Sequence, residues 1–213
     1  MNTSKILNVL LLVVVVILCS WIAVSGNKEM SEPAVEKTDV SSAVINTIMT
    51  RVSVRAYENR EVEDDKIETL LRAAMAAPSS GDKRPWCFVV IKDKEILKTI
   101  ASHFHTMQHA DKAPLAIVVC ADMNRRFKGD AQDYWIQDVS AASENLLLAA
   151  HAMGLGAVWC GITPQQARVD YLKELLKLPE DIIPLNVIPI GYPAEQPMVK
   201  DKWKPENIHY DTW

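Results

Sequence analysis

Several kinds of chemistry have no residues to support them in this 213-residue chain. The four cysteines, Cys19, Cys87, Cys120 and Cys160, are scattered, with no CxxC and no Cys/His spacing of the kind zinc needs, so they read as core or strand residues. His105 and His109 would share a helix face, but no carboxylate lies between them as in HExxH, and that segment reads as solvated rather than metal-ligating. Excess positive charge is lacking too. Lys and Arg total 23 against 27 Asp and Glu, the net charge is -4 and the pI is near 5.7, which excludes an ordinary duplex nucleic-acid binder. There is no internal repeat, no nucleophile–base triad and no paired-carboxylate constellation. What remains is a protein whose ligand is small.

A composition of 49% hydrophobic and 23% charged residues is that of a globular chain. It does not begin with globular sequence. Ile6 to Val24 is apolar except for Asn8, Cys19 and Ser20, close to the ~20 residues of a spanning helix. Residues 1–25 are therefore expected to be a signal-anchor. Ala23-Val24-Ser25 before Gly26 keeps a cleaved signal peptide open. Lys5 ahead of the span places the remainder outside the cytoplasm by the positive-inside rule. Residues 26–43 read as a tether, and 44–213 as the folded domain.

Within that domain EDDKIETLLRAAMAAP carries helical spacing from Glu63, with Asp65 and Glu68 as a capping box and Pro78 as a stop. A strand is expected over Trp86–Ile91, a helix from Lys94 to about Phe104, and a second strand over Leu115–Cys120. The longest helix is expected from about Asp133 to Met153. It is apolar around most of its circumference, which predicts a second covering surface at a subunit interface, and Gly154 supplies a left-handed cap. A short strand over Ala157–Cys160, a helix capped by Thr163-Pro164 and running to Leu178, and an edge or bulged strand over Leu185–Ile190 complete an α/β or α+β sandwich. The Pro-rich, aromatic end after Gly191 reads as an extended arm.

Three stretches could carry chemistry. In extended backbone Arg51, Ser53 and Arg55 converge on one side while Val52 and Val54 pack inward, a donor set suited to phosphate or another compact anion. The bland reading is an edge strand with solvated arginines. APSSGDKRPW, residues 77–86, combines hydroxyls and a glycine with Lys83 and Arg84 just before a strand. GLGAVWCG, residues 154–161, is small enough for backbone to approach a flat ligand. Lys200, Lys202 and Lys204 alternate in the arm.

In this order, Arg-x-Ser-x-Arg with Tyr57, AAxxAPSS closing on Pro-Trp-x-Phe-Val-Val, ENLLLAAHAMGLGAVWCGI, Ile-Gly-Tyr-Pro-Ala-Glu and a basic arm ending His-Tyr-x-x-Trp resemble the flavin-dependent nitroreductase family from about Val44 to Trp213. The resemblance implies an α+β fold with a mixed central sheet flanked by helices, in an intertwined homodimer with an extended C-terminal arm. It implies FMN as cofactor, with NADH or NADPH as donor, a small electron-poor acceptor and no metal. Arg51 and Ser53, with Val52 between them and Lys202 from the arm, would hold the FMN phosphate. Arg55 would lie at the pyrimidine edge as electrostatic support, with no side chain acting as nucleophile. Pro78, Ser79 and Ser80 would border the ring from the partner subunit, and backbone at Val158, Trp159, Cys160 and Gly161 would line its other side. Asp82 and Arg84 stand where many relatives carry Asn and Gln. A non-catalytic FMN carrier or sensor at the membrane is the alternative.

Overall fold

The computed structural model describes residues 37–195 and 197–213; the apolar span and the first part of the expected tether lie outside them. Residues from Val44 to Trp213 form one compact unit. Among the described residues no helix is long and apolar enough to cross a membrane. Helix α1, Lys37–Thr50, starts within the segment read as tether.

The fold is α+β, built on a five-stranded sheet in the order β1-β2-β5-β3 with β4 also on β5. β1 is Trp86–Ile91, β2 Leu115–Asp122, β3 Gly156–Ala157, β4 Cys160–Gly161 and β5 Ile182–Gly191. Every ladder is antiparallel. Among the described residues the parallel contribution is a bridge from Ser53 to Ala157. β2 is buried on both faces, and its period-two alternation divides the core. Leu115, Ile117, Val119 and Ala121 pack toward helices α2 (Asp64–Met75) and α4 (Tyr134–Ala152). Ala116, Val118 and Cys120 pack toward α3 (Lys94–His103) and α5 (Gln166–Leu176).

Local chemistry explains most boundaries. α3 is capped by Asp93, whose Oδ1 accepts from the Glu95 and Ile96 amides at 2.8 and 3.3 Å. α4 ends as expected on Gly154 at φ 74°, with the Leu155 amide returning to the Ala150 carbonyl at 2.8 Å. Other expectations are corrected. Asp65 and Glu68 form no capping box: Glu63 is the N-cap without a side-chain bond, and Glu68 pairs instead with Arg72. Ala157–Cys160 is not one strand, because Val158 and Trp159 separate β3 from β4. Thr163-Pro164 is a cis peptide before the helix, and the N-cap of α5 is Gln165.

β5 is a central strand, not an edge. Pro189 is tolerated because β3 pairs with Ile190 and Gly191 and β4 with Val187 and Asn186, so Pro189 falls between the two short partners. The expected irregularity sits lower, where the β2–β5 register shifts between Val119 and Cys120 and skips Leu185. In the single chain α4 buries one face, from Trp135 through Leu146 and Ala150, while Tyr134 and Ile136 stay exposed. In the arm, Met198, Val199, Trp203, Ile208, Tyr210 and Trp213 are exposed.

Candidate active site

The segment Arg51–Tyr57 owes its position to its apolar members. Val54 and Tyr57 are buried with Ala113, and Val52 packs beside them. The Val54 amide donates to the Ala157 carbonyl at 3.0 Å, and the Tyr57 hydroxyl donates to the carbonyls of Val54 and Pro189 at 2.8 and 3.2 Å. Gly156 makes this approach fit: a Cβ there would lie 2.6 Å from Val54 Cγ1. With the valine and tyrosine turned in, Ser53 and Arg55 are exposed and Arg51 is half-buried. The Arg51 Nε sits 3.3 Å from Glu144 Oε1. Arg55 has no ion pair among the described residues.

Arg55 stands at the corner of three clefts. One, of about 460 Å³, is lined by Arg51, Val52, Ser53 and Arg55 and by Glu195, Pro197, Met198, Lys200 and Lys202 of the arm. A second, of about 340 Å³, is lined by Arg55, Thr106, Val158, Trp159, Cys160, Gly161, Gln165 and Arg168. The third, of about 510 Å³, opens between Arg55, Asn59, Lys94 and Lys112. The structure thus brings together Arg51, Val52, Ser53, Arg55, Lys200 and Lys202, and Val158 to Gly161, all singled out from the sequence.

The cationic surroundings act on the neighbouring titratable groups. Burial, then the charge of Arg55, lowers the His109 pKa; burial, then Arg51, lowers that of His151. Burial pushes the Cys160 thiol up to about 11, against the opposing pull of Arg55 and Arg168. His109, read from the sequence as solvated, is half-buried, with Nε2 3.6 Å from the Cys160 sulfur. Arg168 donates to the Gly161 carbonyl at 2.9 Å and lies 5.6 Å from the Phe104 ring centroid. Thr106, Gln165 and Arg168 were not singled out. They come from a 3-10 stretch and from the start of α5, whose spacing gives no sign of a cleft. Among the described residues no cluster of three or more His, Cys, Asp or Glu could hold a metal ion.

Pro78, Ser79, Ser80, Asp82 and Arg84 line none of the three clefts. Their loop closes on itself. The Ser79 hydroxyl accepts from the Arg84 amide at 2.9 Å, and Arg84 Nε and Nη2 reach the Asp82 carboxylate at 2.6 and 2.7 Å. Gly81, Asp82 and Arg84 have φ of 55°, 54° and 46°, left-handed backbone that only the glycine adopts freely. The loop is tied to α4 by the Ser80 amide, 2.7 Å from Oδ1 of the buried Asp138. Asp138 was likewise missed. A carboxylate on a helix face carries no sequence signal for a loop packed across it.

The sequence profile of the nitroreductase family matches residues 48–112 and 100–192. The chain belongs to the nitroreductase family. One relative, from Methanothermobacter thermautotrophicus and carrying the provisional name NADH dehydrogenase/NAD(P)H nitroreductase, is 44% identical over 171 residues, 80% of this chain and 87% of its own. A crystal structure of a Parabacteroides distasonis nitroreductase with the same provisional name has a TM-score of 0.76 at 44% identity, over 80% of this chain and 98% of that one. An FMN-dependent nitroreductase from Clostridium difficile has a TM-score of 0.72 at 31% identity, over 79% and 99%.

Proposed function

We propose that the chain is an FMN-dependent oxidoreductase that takes electrons from NAD(P)H and passes them to an electron-poor acceptor such as a nitroaromatic, a quinone or an activated alkene. The observation that carries the reading is Arg55, a cation without an ion-pair partner among the described residues, at the corner shared by a basic cleft and a backbone-lined one. The donors present fit an FMN molecule. Arg51, the Ser53 hydroxyl, Lys200 and Lys202 offer the first cleft a set suited to a phosphate dianion. In the second, a Cβ on Gly161 would meet nothing within 4 Å, so backbone there leaves room for a flat ring.

Bound in these clefts, FMN supplies two-electron transfer between nicotinamide and acceptor. The chain's residues do the rest. Arg51, Ser53 and Lys202 anchor the phosphate and so fix where the ring lies. Arg55 is a preorganised positive charge where negative charge accumulates on reduction, which favours the reduced state. Burial keeps the Cys160 thiol protonated, so it adds no negative charge beside Arg55. No side-chain nucleophile is required. Donor and acceptor would use one cleft in turn, a ping-pong order.

The test is the visible spectrum of the purified protein under anaerobic conditions, before and after NADH or NADPH and then after a quinone. A flavin band that bleaches with the nucleotide and returns with the quinone supports the reading. Protein that takes up no FMN overturns it. A band that neither nucleotide bleaches overturns the donor assignment and favours the carrier alternative.

A further inference from the structure

Cys87 and Cys120 are cross-strand partners in the β1–β2 ladder. The Asp122 amide donates to the Pro85 carbonyl at 2.7 Å, which makes Pro85 and Asp122 a hydrogen-bonded pair. Such pairs recur at every second residue of an antiparallel ladder, so Cys87 and Cys120 form one as well. Directly opposed residues point to one face of the sheet, with Cα atoms about 5.5 Å apart. That separation lies inside the roughly 4.4–6.8 Å that a disulfide spans. Both side chains belong to the layer beneath α3 and α5, where Cys120 is core and Cys87 packs against it. Both are free thiols within hydrogen-bonding reach of each other. They differ in access. Cys120 is fully buried on the second strand, whereas Cys87 is half-buried on the edge strand.

We propose that Cys87 and Cys120 are a redox-active dithiol that closes to an intramolecular disulfide by exchange with a small-molecule disulfide, Cys87 attacking and Cys120 resolving. The Cys87 thiolate attacks one sulfur of the small disulfide, its S–S bond breaks, and one small thiolate leaves and takes up a proton. The Cys120 thiol then gives its proton to solvent and attacks the Cys87 sulfur, expelling the second small thiolate. Two protein thiols lose two electrons and two protons, and one small disulfide becomes two thiols.

The order of attack follows from environment as well as access. A hydrogen bond from Cys120 holds the Cys87 pKa below the usual thiol value despite partial burial. The same bond and full burial push Cys120 far above it. The thiolate is the nucleophile, so Cys87 reacts first. Cys120 becomes competent once that hydrogen bond is replaced by a mixed disulfide. Closure would join the edge strand covalently to its neighbour three residues beyond the Pro78–Arg84 loop.

The test uses the full chain, reduced, desalted and incubated with oxidised glutathione, then denatured, blocked with N-ethylmaleimide and digested without reduction. The expected result is a Cys87 peptide linked to a Cys120 peptide, a protein mass lower by two hydrogens before blocking, and loss of maleimide from both residues, reversed by dithiothreitol. Cys120→Ser should stop at a glutathione adduct on Cys87, and Cys87→Ser should leave Cys120 unmodified. Wild-type protein with maleimide on both cysteines, or with glutathione persisting on Cys87 and no linkage, overturns the proposal. Neither readout depends on bound flavin, so its failure is separate from failure of the proposed activity.

Discussion

The segment Arg51–Tyr57 and the loop Pro78–Arg84 both carry arginine and serine beside a strand, yet the fold uses their charges in opposite ways. In the first, Val54 and Tyr57 are inserted into the core and the alternation of extended backbone leaves Ser53 and Arg55 facing outward, with no ion-pair partner for the arginine among the described residues. In the second, left-handed backbone at Gly81, Asp82 and Arg84 curls the loop until the guanidinium meets the carboxylate two residues away. Similar residue types thus produce a cation available to a ligand in one place and an internally neutralised turn in the other. The backbone decides which, and the backbone is set by what the apolar neighbours can bury.

The sharpest way to break this comparison is to remove the available cation. Arg55→Ala should lower kcat with NADPH and a quinone by about 10²-fold, the usual cost of losing one preorganised donor at a developing charge. It should also make the bound flavin harder to reduce, measured as a more negative midpoint potential. Stability should change little, since Arg55 is exposed and has no ion pair among the described residues. Unchanged kcat and potential would place Arg55 among solvated arginines, the bland reading of the motif.

Next in size is the packing that presents the cation. Gly156→Ala forces a Cβ to within 2.6 Å of Val54 Cγ1 and must push the segment off β3. Overpacking of this kind costs about 1–3 kcal/mol. Chemical denaturation should show that loss, together with weaker FMN uptake, because Arg51 and Ser53 ride on the same backbone. Tyr57→Phe should cost less, about 1 kcal/mol, by removing the hydroxyl shared between the Val54 and Pro189 carbonyls. Equal denaturation midpoints for wild type and Y57F would mean that burial of the ring alone holds the segment.

How much of this was legible beforehand depended on the range of the physics. The alternation in Arg51–Arg55, the apolar runs of β1 and β2 and the helical spacing from Ile67 to Ala74 are local, and the structure repeats them closely. Pro189 reads as the mark of an edge or a bulged strand; β5 does carry a bulge, at Leu185, but it is central, because Pro189 pairs with Ala116 on one side and meets only the gap between two separate short strands on the other. His109 was read as solvated because nothing near it in sequence reveals Cys160 opposite, across fifty-one residues of chain. Arg168 and Asp138 were missed for the same reason. Their roles exist only once a helix end meets a strand, or a helix face meets a loop.

Smaller again is a pH effect of the cationic surroundings. His109 and His151 have folded pKa values below the ordinary value near 6.5, by burial first and then by Arg55 and Arg51. The unfolded chain therefore binds protons that the folded one refuses. The contribution to stability is complete above that value and is lost as pH falls through it toward the lower folded pKa values. Histidine resonances followed by NMR should titrate low at both positions. In Arg55→Ala the His109 resonance should move up toward the ordinary value while His151 stays put; movement of neither would mean that burial alone sets the shift.

The smallest expected effect belongs to the loop. Asp82 and Arg84 form a well-aligned pair, but their side chains are 72% and 59% exposed, so solvent screens the attraction. Exposed pairs are worth about 0–1 kcal/mol, and this one should sit at the low end, since the Ser79–Arg84 and Ser80–Asp138 bonds already hold the turn. Asp82→Asn with Arg84→Gln should therefore leave the thermal midpoint nearly unchanged in low and high salt alike, whereas Ser79→Ala, which removes the acceptor of the Arg84 amide, should lower it. If the double variant instead lowers the midpoint in low salt only, the ion pair and not the serine fixes the turn. The contrast with Arg51–Tyr57 would then rest on charge where it now rests on backbone.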